Sequence, residues 1–174
     1  MTASTAPEAT LPDGVVIVDK PAGCTSHDVV QRVRRALGRT YAAPQRRRHG
    51  HKVGHTGTLD PSATGVLVVC LGRATRLVPF LQAGRKTYEA RMQLGRTTST
   101  LDADGEITAE RDAAHIDEQA VCEAFKRFVG PIEQIPPMVS AVKVDGERLH
   151  VRARRGEEIE RTPRPVVIHD LVLE

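Results

Sequence analysis

The sequence predicts an α+β fold, and three observations carry that prediction. Two apolar runs have strand length, Val15-Val16-Ile17-Val18 and Val66-Leu67-Val68-Val69-Cys70-Leu71. Two stripes have helical spacing, Val29, Val30, Val33 and Leu37, then Val121, Phe125, Phe128 and Val129. The two kinds of segment do not alternate with the regular beat of a doubly wound sheet.

Composition bounds the answer. A chain of 174 residues, 40% apolar, is large enough for one domain with its own core, and with 3% aromatics that core must be aliphatic. No apolar run is long enough to cross a bilayer. Met1 to Pro12 has neither a basic start nor an apolar centre, so it reads as a disordered lead-in rather than a secretory signal, and residues 13–174 as the folded part. Cys24, Cys70 and Cys122 are odd in number and far apart. They read as small core residues in a reducing cytoplasm, with no disulfide frame and no metal site.

Net charge is +3, unevenly spread: Gln31 to Lys52 holds eight Arg or Lys and no acid, and Leu101 to Glu123 holds eight acids against one Arg. A basic block of this kind suits a polyanion such as RNA, and it also suits a solvated loop.

In chain order, the β-branched run at Val15 reads as a buried strand, broken by Asp19-Lys20-Pro21-Ala22-Gly23. Lys20, at the strand's end, either reaches towards Asp60 or a phosphate or is an ordinary exposed lysine. Thr25 or Ser26 caps a helix that Gly38 stops, with Arg32, Arg34, Arg35 and Arg39 on its outer face. Residues 40–52 form a basic loop, and His49, His51 and His55 lack the acid or cysteine that a metal site would need. Ala74, Leu77, Val78 and Leu81 mark a short helix, strained or ended near Pro79. Lys86 to Leu94 alternates as a strand, with Tyr88 on its buried face as a core tyrosine. Arg96 to Glu110 is a polar loop whose Asp102-Ala103-Asp104-Gly105 is a turn, not a calcium loop. Asp117 caps the next helix, staple residues Ile116 and Val121 flank it, and Gly130-Pro131 closes it. Val139 to Val144 and Asp145-Gly146 read as strand and tight turn, and Val166 to Leu173 as a last strand.

His55-Thr56-Gly57-Thr58-Leu59-Asp60-Pro61-Ser62-Ala63-Thr64-Gly65-Val66-Leu67 organises the rest. Pro61 holds Asp60 out of a helix, and Gly57 and Gly65 permit tight turns. An acid on a stiff loop at the mouth of a buried strand is well placed as a nucleophile or base. On spacing alone, an Asp-Pro turn whose carboxylate accepts backbone hydrogen bonds is the stronger reading.

The same stretch resembles the signature loop of the TruB family of tRNA pseudouridine synthases, G-H-x-G-x-L-D-P-x-A-x-G-x-L, and Gly54 to Leu67 match every fixed position. Asp19 to Ser26, Arg85-Lys86-Thr87-Tyr88 and Ile135 to Ala141 extend the resemblance over nearly all residues beyond the first dozen. It implies a pseudouridine-synthase-like mixed, mostly antiparallel sheet flanked by helices. It also implies a helix from Leu149 to Arg155. The family's K-G-x-Y-x-R strand, whose arginine pairs with the catalytic aspartate, has no counterpart here. The expectation is therefore the N-terminal portion of a longer synthase, lacking its C-terminal part, with 40–52 as an insertion.

The implied activity is isomerisation of uridine 55 in the T-loop of tRNA to pseudouridine, with no cofactor and no metal. Asp60 matches the catalytic aspartate, which attacks the flipped nucleotide at the sugar or the ring and needs a cation nearby. His55 matches a histidine that packs on the rearranged loop bases. Tyr88 matches a tyrosine that stacks on the target base and assists proton removal. Lys20 joins them as a substrate-binding residue. The expected partner is the tRNA T-arm, and the expected state a cytoplasmic monomer, with no membrane. The alternative is a noncatalytic RNA-binding or RNA-folding protein on the same scaffold.

Overall fold

Residues 12–40, 52–140 and 142–174 are described in the computed structural model, which divides into two compact units, Met1–Tyr88 and Glu89–Glu174. The basic stretch from Tyr41 to His51, with His49, lies outside the described residues.

In the first unit, β1 (Gly14–Lys20) pairs antiparallel along its whole length with β3 (Gly65–Leu71), and β2 (Val53–His55) pairs antiparallel with the other edge of β3. Ile17 faces Val68, Lys20 faces Gly65 and His55 faces Val69. Because side chains alternate along a strand, Val18, Leu67, Val69, Leu71 and Val53 share one face. That face packs on α1 (Ser26–Thr40) through Val29 and Val30, with Val33, Leu37 and Leu59 at the rim. The helix stripe predicted from spacing is the stripe found.

The first strand is less buried than expected. Val15, Val16 and Ile17 are exposed, Ile17 by 62%, and so is Val66 on β3 by 70%. A β-branched run reports strand geometry rather than burial, and only one face of this small sheet is covered by the long helix. Near β2 the second face is closed differently. A 3₁₀ turn (Gly72–Leu77) and α2 (Val78–Gln82) lie against it, and a Cβ on Gly54 would sit 3.9 Å from Val78 Cγ2. Cys70, opposite Gly54, is fully buried there, which pushes its thiol pKa up.

Three boundaries differ from expectation. Gly38 lies inside α1 rather than stopping it. Pro79 falls in the first turn of α2, where its missing N–H costs no hydrogen bond, so it starts that helix rather than ending it. Lys86 to Leu94 is not a strand, and Tyr88 is 69% exposed rather than core. Alternation alone cannot make a strand; it needs a partner, and no described strand pairs with this segment.

In the second unit, β4 (Arg96–Thr98) and β5 (Ile107–Glu110) form a hairpin where the sequence predicted only a loop. Its tip is the predicted turn: the Asp104 N–H donates to Asp102 Oδ1 at 3.0 Å. Among the described residues no group of three or more His, Cys, Asp or Glu is placed to hold a metal. Asp117 caps α3 (Glu118–Lys126) by accepting from the Ala120 N–H at 2.8 Å, as predicted. The helix ends before Gly130, so Phe128 and Val129 lose helical phase with Val121 and Phe125 and are exposed. β6 (Gly130–Gln134) pairs antiparallel with β9 (Arg164–Ile168). β7 (Lys143–Val144) and β8 (Glu147–Arg148) flank a turn with φ of 52° at Asp145 and 82° at Gly146, the left-handed pair that a two-residue hairpin needs. α4 (Leu149–Arg154) follows, with Leu149 buried. Every described strand pair is antiparallel, in four small sheets beside separate helices, which is the α+β class.

Candidate active site

Asp60 lies in the loop that joins β2 to β3. Its carboxylate is exposed, and among the described residues it accepts no hydrogen bond and forms no ion pair. The turn around it is made by the backbone: the Ala63 N–H donates to the Asp60 carbonyl at 3.1 Å. The side chain does not serve its own turn, which removes the main structural reason for an aspartate here.

The loop is instead held from outside, on both sides of Asp60. On the preceding side, the Ser26 hydroxyl accepts from the Leu59 N–H at 2.8 Å and donates to the Leu59 carbonyl at 3.1 Å. On the following side, the Pro61 carbonyl accepts from the Gly23 N–H at 2.8 Å and from Lys20 Nζ at 3.3 Å. The groups that hold the loop lie between Lys20, the last residue of β1, and Ser26, the first of α1. Gly23 adopts a φ of +80°, a conformation that glycine takes at little cost.

Lys20 is neither of the two things foreseen for it. It is 0% exposed, and Nζ donates to the carbonyls of Cys24 at 2.8 Å, Pro21 at 3.0 Å and Pro61 at 3.3 Å. An ammonium has three N–H donors, and three carbonyls use them. The cation expected beside Asp60 is thus engaged with backbone, and no carboxylate pairs with it among the described residues.

His55 ends β2 at the start of the loop and is half-buried. Its Nδ1 is buried with no hydrogen-bond partner among the described residues. The exposed Tyr88 makes no hydrogen bond there to Asp60 or His55. The structure therefore joins Lys20 to the Asp60 loop and sets His55 at its start, but does not tie Tyr88 to either. Two contributors were missed by sequence reasoning. Ser26 was read only as a possible helix cap, whereas Thr25 takes that role: its hydroxyl accepts from the Asp28 N–H at 3.1 Å. Lys86 passes beside the loop, its Cε 3.8 Å from where a Cβ on Gly57 would lie, and its Nζ donates to the Gln82 carbonyl at 2.7 Å. The lack of any side chain at Gly57 was the available signal.

A buried strand, a braced loop and a carboxylate unpaired among the described residues define the class: a scaffold that presents one acid to solvent outside the core. The chain belongs to the TruB family of pseudouridylate synthases, matching its N-terminal domain over residues 45–174. It is 53% identical over 161 residues to the tRNA pseudouridine synthase B of Thermobifida fusca (strain YX), an alignment covering 92% of this chain and 51% of that protein. It is also 53% identical to the tRNA pseudouridine synthase B of Symbiobacterium thermophilum, covering 92% of this chain and 50% of that protein. The chain spans about half the length of the curated relatives it matches. Among solved structures it is similar to a chain of a Cbf5-Nop10-Gar1 complex, with 31% identity, a TM-score of 0.45, and coverage of 75% of this chain and 31% of that one.

Proposed function

We propose that this chain carries the nucleophile of a tRNA pseudouridine synthase that isomerises uridine 55 in the T-loop. The observation that carries the reading is the Asp60 carboxylate, exposed and unpaired among the described residues, on a loop braced on both sides. Side chains without a folding role that are held rigidly in place are what a reacting group requires. In the proposed reaction the bond from ribose C1′ to N1 of uracil breaks with attack by Asp60 at the sugar or the ring. The base turns, C1′ bonds to C5 and the bond to Asp60 breaks, N1 takes up a proton from solvent, and the C5 proton leaves to solvent. No redox change occurs, so no electron carrier is needed.

The target base must leave its stack to meet an acid on a loop, at a cost of a few kcal/mol. His55, with its unpartnered Nδ1, is assigned to the displaced loop bases, and the exposed Tyr88 ring to the target base, where its hydroxyl would assist removal of the C5 proton. Lys20 serves the substrate indirectly, through the loop it holds. The tRNA T-arm is the proposed partner of a monomer acting in the cytoplasm; no described helix is long and apolar enough to cross a membrane.

The test is tritium release from tRNA labelled at C5 of uridine. The wild-type chain should release tritium and Asp60→Asn should not, while both bind tRNA alike. Turnover by Asp60→Asn comparable to wild type would remove the nucleophile assignment. A second reading, RNA binding without turnover, is favoured by the lack of any cation paired with Asp60 among the described residues. Binding with no release by the wild-type chain would select it.

A further inference from the structure

Thr25 caps α1, which leaves the buried hydroxyl of Ser26, the first residue of that helix, with no part in helix capping. Both of its hydrogen bonds go to Leu59, the residue immediately before Asp60. We propose that Ser26 is a positioning residue for Asp60, setting the direction of the carboxylate through the Leu59 backbone; this rests on Asp60 being the nucleophile.

The geometry makes the assignment specific. The Leu59 carbonyl, which accepts the Ser26 proton at 3.1 Å, belongs to the peptide plane that leads into Asp60. The Leu59 N–H, which donates to the same oxygen at 2.8 Å, belongs to the plane before it. One hydroxyl thus fixes both planes. Beyond Asp60, the ring of Pro61 fixes its own φ, and the Pro61 carbonyl is held by Gly23 and Lys20. Asp60 is therefore the one residue of the three whose side chain is not engaged while its backbone is constrained at both ends. Ser26 is 1% exposed, so water cannot readily replace its hydroxyl.

Ser26→Ala removes the grip and leaves the helix cap in place. Amide exchange at Leu59 should quicken by about tenfold or more while Leu67 and Val69 in β3 stay protected. With tRNA as substrate, kcat should fall about 10- to 100-fold with KM within about twofold, because misplacement of a reacting group costs rate rather than binding. Ser26→Thr keeps a hydroxyl and should recover both Leu59 protection and most of kcat. Unchanged Leu59 exchange in Ser26→Ala overturns the proposal. So does a freed Leu59 with unchanged kcat, or a threonine variant that restores protection but not rate. Should the alanine chain fail to fold, Ser26→Cys, which keeps the volume with a weak hydrogen-bonding group, is measured against the same criteria. If Asp60→Asn turns over normally or the wild-type chain releases no tritium, it is the nucleophile reading that fails, and the catalytic role of Ser26 falls with it. Leu59 exchange then reports only whether Ser26 holds the loop.

Discussion

Lys20 Nζ donates to the Pro61 carbonyl at 3.3 Å, joining two segments 41 residues apart in the chain. The bond places the end of β1 against the residue that follows Asp60. It turns two separate sequence motifs into one structural unit, because the same ammonium also holds the carbonyls of Pro21 and Cys24. A charge buried without a carboxylate partner is tolerable only when every donor is used, and here three carbonyls use it.

Lys20→Met keeps an unbranched side chain, one atom shorter, and removes the donors. The Pro61 carbonyl retains the Gly23 N–H, but the Cys24 carbonyl loses its ammonium. Weighed against the relief of burying no charge, a loss of about 2 kcal/mol is expected in urea unfolding. Lys20→Arg should not rescue it, since a planar fork cannot converge on three carbonyls as an ammonium does. A loss under about 0.5 kcal/mol would show that the bonds are replaced by water.

Asp60→Asn should separate activity from stability. The carboxylate is exposed and supports no described hydrogen bond or ion pair, so unfolding free energy should change by no more than about 0.5 kcal/mol. Tritium release should nonetheless vanish. A destabilisation of several kcal/mol would mean that the side chain serves the fold after all.

Gly23→Ala tests the bracing from the backbone side. A Cβ there meets no atom within 4 Å, so the cost is conformational only, from a φ of +80°. About 1–2 kcal/mol is expected, read as a lower thermal midpoint together with faster exchange of the residue 23 amide, which is bonded to Pro61.

The start of α1 should respond to acid. The Thr25 hydroxyl donates to the Asp28 carboxylate at 2.6 Å and the Thr25 N–H does so at 2.9 Å, and these bonds, the hydroxyl's first, hold the Asp28 pKa below its ordinary 3.8. A folded-state pKa below the unfolded one means that the unfolded chain binds more protons. The stabilisation is complete above the unfolded value and is lost as pH falls through the folded one. Asp28→Asn should therefore flatten the loss of stability below about pH 4 while leaving the profile above pH 6 parallel to wild type. An unchanged acid limb would exclude this cap as its source.

Elements whose signal is local were legible. Val29, Val30, Val33 and Leu37 mark the buried stripe of α1 by spacing alone, and Asp117 and the Asp145-Gly146 turn are local side-chain and backbone chemistry. What misled depended on distant partners. Lys86 to Leu94 alternates but pairs with no described strand, and Val15 and Ile17 look like core yet are exposed on the face away from α1. The β4–β5 hairpin was hidden because its strands are short and carry only Ile107 and Ala109 as apolar residues.

By itself, the sequence determined the class of fold and the family signature from Gly54 to Leu67, which contains Asp60. Spacing and residue type suffice for these, because they depend on neighbours along the chain. Only the tertiary structure decided that Lys20 is buried, that Thr25 and Ser26 divide their work, and that the backbone on both sides of Asp60 is gripped while its carboxylate is not. Those facts depend on which carbonyls the fold brings within about 3 Å of a donor from another segment, and separation along the chain carries no record of that distance.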